Sequence, residues 1–190
     1  MFQDLDDTLK ELLLQKVPIK NTDIDIEFER PNTDWETKLQ KPTINLFLYD
    51  IRENLELRSN ERFLTRNGVT GIETKDPVRM DLSYMITVWT KEIGDEHRLL
   101  GNILKTLLRY PILPTEVLQG EMQHLSIPLR AWVTQPEQTP SSWDFWTALE
   151  GRLKAGLSYV VTVPVQPFEP VEVPLVTEKV ITLESKKAKF

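Results

Sequence analysis

Apolar positions along the chain follow two periods, and their order predicts the elements. Phe2, Leu5, Leu9, Leu12 and Leu13 recur at helical spacing behind a first turn that carries Asp4, Asp6 and Asp7. Negative charge at that end favours a helix through its dipole, and Pro18 stops it. Ile24, Ile26 and Phe28 then alternate with Asp25, Glu27 and Glu29, the pattern of a half-buried strand. Residues 31–42 form a polar connection holding Trp35. In the next strand, 44–51, Leu46-Phe47-Leu48-Tyr49 is apolar on both faces, which predicts an interior place in a sheet. Met80, Leu82, Tyr84, Ile86 and Val88 share one strand face, with Asp81, Ser83 and Thr87 on the other. Asp95 and Glu96 open a second long helix, striped by Leu99, Leu100, Ile103, Leu104, Leu107 and Leu108 and closed by Pro111. One more helical turn is expected over 114–120. Leu125, Ile127, Leu129, Ala131 and Val133 alternate again, and Pro128 among them marks an edge strand. Ser141-Ser142 reads as the cap of a short helix with Trp143, Trp146 and Leu149. Tyr159, Val161, Val163 and Val165 make a last alternating strand.

Two stretches break these periods. Residues 54–76 are polar, with Asn67-Gly68 as a turn signal; a structureless loop of that length in a compact domain is usually functional or mobile. After the last strand, Pro164, Pro167, Pro170 and Pro174 recur among valines, a spacing that favours extended backbone. The short β-prone run Val180-Ile181-Thr182-Leu183 follows, and Lys186, Lys187 and Lys189 end the chain. The expected organisation is a domain over 1–166 and an extended, proline-rich arm over 167–190. The arm reads either as a disordered terminus or as a segment that adds a strand to a partner's sheet edge.

Composition narrows the function classes. The chain has 190 residues, of which 40% are hydrophobic and 27% charged, the balance of a globular domain. Lys+Arg number 23 against 29 Asp+Glu, a net charge of −6, which argues against nucleic acid as a partner because phosphate neutralisation needs a basic face. There is no cysteine, hence no disulfide scaffold, thiolate metal site or thiol nucleophile. The acidic start lacks the basic and apolar regions of a signal peptide, so a cytosolic protein is expected. The longest uncharged stretch, 155–168, contains prolines and falls short of the ~20 apolar residues of a membrane-spanning helix, so direct membrane insertion is not expected. No GxSxG, P-loop, GxGxxG or HExxH occurs, and neither a catalytic group, a metal site nor a cofactor is expected. Asp95-Glu96-His97 reads as an exposed first helical turn, and His124 as a strand-entry residue without a ligand role. Trp89 and Trp132 point out of the alternations beside them. Either the sheet is covered on both faces or these two lie at a subunit contact.

The run Ile44-Asn45-Leu46-Phe47-Leu48-Tyr49-Asp50-Ile51-Arg52-Glu53-Asn54-Leu55-Glu56-Leu57-Arg58 resembles the N-terminal signature of the tail terminator, or cap, proteins of phage-tail-like contractile injection systems. These are the systems of the antifeeding prophage and Photorhabdus virulence cassette type. Asp81-Leu82-Ser83-Tyr84 is similar to a strand of that family. Leu99-Leu100-Gly101 with Leu104, Leu108, Pro111 and Leu113 is similar to its helix and following turn, and Trp146 with Leu157-Ser158-Tyr159 to its closing segment. The likeness spans about 1–165 and omits the arm. It implies an α+β fold with a mixed, mostly antiparallel sheet packed by two main helices. It also implies a homohexameric ring on the baseplate-distal end of the tail, in contact with the inner tube protein and the contractile sheath protein. Such a particle is assembled in the bacterial cytoplasm and then released or membrane-anchored. On this reading Asn45, Asn54 and Arg58 serve placement or assembly. Trp89, Trp132 and the run Val180, Ile181, Thr182, Leu183 are further interface candidates. The competing expectations are a neck or terminator protein of a contractile phage and, in a different class, a small-ligand binding module or enzyme, which would need a pocket with convergent polar groups.

Overall fold

The structure, a computed structural model, describes residues 1–18, 24–68, 70–134 and 142–175. The chain divides into two compact units: Met1–Leu57 with Arg79–Val165, and Arg58–Val78 with Gln166–Phe190.

The first unit is built on a five-stranded sheet. Its strands are β1 (Asp25–Glu27), β2 (Thr43–Glu53), β5 (Val78–Trp89), β7 (Gly156–Val165) and β6 (Arg130–Val133), lying side by side in that order. β1 runs parallel to β2, β2 antiparallel to β5, and β6 antiparallel to β7. The doubly apolar run of β2 is thus interior, as its pattern predicts, and a bulge between Leu48 and Asp50 shifts its register with β5. β6 is an edge strand that begins only after Pro128. The two 3-10 turns Thr115–Val117 and Gly120–His124 occupy the stretch before it, and His124 ends the second.

Two helices cover one face of the sheet. Helix α1 (Phe2–Lys16) buries Leu5, Leu9, Leu12 and Leu13, and α3 (Ile93–Arg109) buries Leu99, Ile103 and Leu107. They enclose Leu82, Tyr84, Ile86 and Val88 of β5 with Tyr159, Val161 and Val163 of β7 in one hydrophobic core. Each side chain of this size removed from water contributes roughly 1.5–3 kcal/mol. The helical stripes are narrower than the sequence pattern: Phe2 and Leu108 are exposed. The opposite face carries a second cluster. Met85 and Trp89 of β5 and Phe47 and Tyr49 of β2 pack under Phe145, Trp146 and Leu149, which belong to α4 (Ser142–Ala148) and the turn after it. Trp35 and Leu39 join them from the 31–42 connection, which is not wholly irregular. It forms the short helix α2 (Thr33–Glu36), capped by the Asn32 side chain accepting from the Trp35 N–H.

The second unit is a three-stranded antiparallel sheet, β3 (Arg62–Asn67), β4 (Thr70–Lys75) and β8 (Val171–Pro174), with β4 central. The polar stretch 54–76 is therefore mostly a hairpin rather than a loop. Its Asn67-Gly68 signal marks the turn, where Gly68 adopts φ +65°, a left-handed conformation that L side chains rarely take. Strands built of Arg, Thr, Glu and Lys lack the apolar alternation that announces a half-buried strand, which is why the pattern conceals them. Four residues of the expected arm, Val171–Pro174, form β8.

Candidate functional site

The interface candidates scatter. Asn45 is fully buried on β2, and its Nδ2 donates to the Glu29 carbonyl over 2.9 Å. It thereby ties the strand to the segment leaving β1. Asn54 follows β2: its Nδ2 donates to both Asp81 carboxylate oxygens at 3.2 and 3.0 Å, and its Oδ1 accepts from the Leu57 N–H, closing the 3-10 turn Leu55–Leu57. Both asparagines thus hold the backbone of the first unit. Arg58 is exposed where the second unit begins. Trp89 is only 9% exposed. It stacks edge-on against Trp35 at 5.3 Å and Trp146 at 6.3 Å, so for this residue the covered sheet is the reading that describes it. Trp132 is half-buried on edge strand β6. Val180, Ile181, Thr182 and Leu183 lie outside the described residues.

Three buried or half-buried polar groupings were not expected. Glu96, expected on an exposed helical turn, is 5% exposed and paired with Lys154 of the segment before β7. The Lys154 ammonium also lies 4.6 Å from the Trp89 ring centroid. The carboxylate at this helical position is covered because the chain after α4 brings Lys154 against it. Asp81 accepts from the Thr162 hydroxyl as well as from Asn54. Tyr84 donates its hydroxyl to Asp6 Oδ1 over 2.8 Å. Burial pushes the Asp6 carboxyl above its ordinary range, and Asp7 adds to this, while the Tyr84 hydroxyl acts in the opposite direction. Burial and the neighbouring Asp6 likewise raise the Tyr84 phenol, and burial alone raises Tyr159. These groupings consist of ordinary hydrogen-bonded carboxylates and hydroxyls. They tie β5 to helix α1 through Tyr84 and Asp6, and to β7 and the end of β2 through Asp81.

A cleft of about 730 Å³ opens in the first unit beside Trp89, Lys41, Glu92, Asp95, Arg98 and Leu99. Its charges are of both signs and face no histidine. Among the described residues no group of three or more His, Asp or Glu is placed to hold a metal ion. No described helix is long and apolar enough to cross a membrane. What the molecule does expose is strand edge and isolated apolar side chains. In the second unit Phe63, Leu64 and Val171 are 49, 55 and 57% exposed. Sequence patterning had no signal for them, because the residues around them show no apolar alternation.

Fold and surface together define an α+β module of two sheets with exposed strand edges. The chain belongs to the Pvc16 N-terminal domain family, whose model matches residues 4–178. Its fold is similar to that of the PVC sheath/tube terminator of an extracellular contractile injection system, in the extended state. That likeness has a TM-score of 0.73 and 25% identity, and covers 98% of this chain and 64% of that one. It is also similar to the tube-terminating cap of the anti-feeding prophage, with a TM-score of 0.70, 24% identity, and 96% and 62% coverage. This chain therefore spans a little under two thirds of either solved chain. No curated protein sequence matches it. The α+β class and the family expected from the 44–58 run both hold.

Proposed function

We propose that this chain is a structural cap, the tail terminator of a contractile injection system. Copies of it form a homohexameric ring on the baseplate-distal end of the tail, where the ring ends growth of the inner tube and anchors the last sheath layer. The observation that carries this reading is the match of nearly the whole chain to a sheath/tube terminator at 25% identity. The surface agrees with it: strand edges and exposed apolar residues suit assembly. On this reading the protein is not an enzyme. It is assembled in the bacterial cytoplasm into a phage-tail-like particle.

Within that particle Arg58 and Trp132 are exposed or half-exposed positions suited to contacts with neighbours. Of the expected arm, 167–190, the part beyond β8 reaches toward the terminal sheath layer, with Val180–Leu183 adding a strand to an unpaired sheet edge there. Asn45 and Asn54 contribute by holding the shape of the unit that docks. The test is cryo-microscopy of particles from cells with and without the gene. A sixfold ring of this chain at the baseplate-distal end, and tubes of unregulated length or without sheath when it is missing, are expected. Finding the chain at the baseplate, or normal extended tails without it, overturns the proposal.

A further inference from the structure

The three-stranded sheet of the second unit has two outer edges, and their residues match each other. β3 and β8 both run antiparallel to β4, so they are parallel to one another, and among the described residues neither has a strand on its outer side. Leu64 of β3 is level with Glu73 of β4, which is level with Val171 of β8. The largest exposed aliphatic side chain of each edge thus sits at one height, and strand alternation places both on one face of the sheet. Gly71 lies on that face, and the Leu64 side chain leans across the space a Cβ would need there. Arg62 precedes Leu64 by two residues at the start of β3, and Glu169 precedes Val171 by two in the segment that enters β8, so opposite charges stand two positions before each member of the apolar pair. Arg62 is already paired with Glu73 at 2.8 Å, a carboxylate of the same face.

Unpaired edges bearing apolar residues are normally covered or paired. Rotation about an axis along these strands preserves height, so it brings β8 of one copy beside β3 of the next, in parallel and without slip. Val171 then meets Leu64, and Glu169 approaches Arg62. The contact uses two different surfaces, so it is head-to-tail and can close a ring. We propose that β8 of each copy pairs with β3 of its neighbour, so that these small sheets join into a continuous β-belt around the cap. The inference rests on the ring reading above and adds to it the surface that joins the copies.

The absence of cysteine makes the test direct. Within one chain, residues 64 and 171 are separated by two strand spacings of about 4.8 Å each, beyond the ~7 Å Cα limit for a disulfide. Between paired neighbours they fall within it. The full-length double variant Leu64→Cys/Val171→Cys, incorporated into particles and oxidised, is expected to give a ladder of linked chains rising to the hexamer on a non-reducing gel. Either single variant gives monomer. Thr65→Cys/Glu172→Cys, level with each other on the opposite face, provides a second pair should loss of Leu64 disturb the hairpin. Monomer alone from both double variants, in particles whose images show the ring, overturns edge pairing and leaves the ring standing. Images with a single copy at the tail end remove the ring and the belt together.

Discussion

Glu96 and Lys154 show how one side chain can invert a reading of its surroundings. An acidic residue in the first turn of a helix ordinarily faces water, yet Glu96 is closed in by the chain that returns from α4. Desolvation makes such a pair a weak source of net stability but a strong penalty once half of it is removed. Lys154→Met is expected to cost about 3–5 kcal/mol in denaturant unfolding, and adding Glu96→Gln to it to recover most of that loss. Equal, additive losses would mean that the two groups act independently. Asp6 gives a pH signature. Its folded-state pKa lies above the unfolded value, so its contribution to stability is fully present below the unfolded carboxyl range, near pH 3.9, and is lost as pH rises through the folded value. Asp6→Asn keeps an oxygen for the Tyr84 hydroxyl and removes the buried charge. It should raise the urea midpoint at pH 7 and leave it nearly unchanged at pH 3. A lower midpoint at pH 7 would show that the carboxylate is used as a charge.

Helix α4 owes its place to packing more than to its own propensity. Seven residues are too few for a helix to be stable alone. Phe145 anchors it, with its ring 5.4 Å from Tyr49 and 5.8 Å from Trp146, both edge-on, and 6.3 Å from Phe47. The Trp146 Nε1 donates to the Lys154 carbonyl and pins the chain that follows. Phe145→Ala should therefore cost about 3–5 kcal/mol and expose tryptophan to water, read as a red shift in emission, whereas Leu153→Ala, at a site 60% exposed, should change little. The β3–β4 hairpin depends on its turn in a comparable way. Gly68→Ala would force a side chain into the left-handed region at about 1–2 kcal/mol. A melting curve for that variant that matches the parent protein would show that the turn tolerates a Cβ.

For the particle as a whole, the proposed division of labour is a folded module that positions edges and a terminal segment that reaches a partner. A chain truncated after Leu175 keeps β8 and every core residue of the first unit. It should unfold at the parent temperature yet fail to retain sheath, leaving bare tubes or prematurely contracted particles. Marked loss of thermal stability would place the removed residues in the core. Normal extended tails would make them dispensable. Arg58→Ala should leave folding intact and disturb tail length or sheath loading; normal particles would make it an ordinary surface residue.

Much of this architecture was legible in the order of residues. The interior position of β2 follows from Leu46-Phe47-Leu48-Tyr49, the exposed edge of β6 from Pro128, and the end of α1 from Pro18, because hydrophobic period and missing N–H groups act locally. The family was legible as well, in the run from Ile44 to Arg58. Other features required the folded chain. Whether Trp89 met solvent, a neighbour or its own chain depended on where α2 and α4 came to rest. The burial of Glu96 depended on a lysine 58 positions away. The hairpin of charged and hydroxyl residues and the level alignment of Leu64 with Val171 are products of backbone pairing between strands distant in sequence. Periodicity reports which face a residue prefers, whereas pairing register and the covering of a face are settled only when separate elements compete for the same surface.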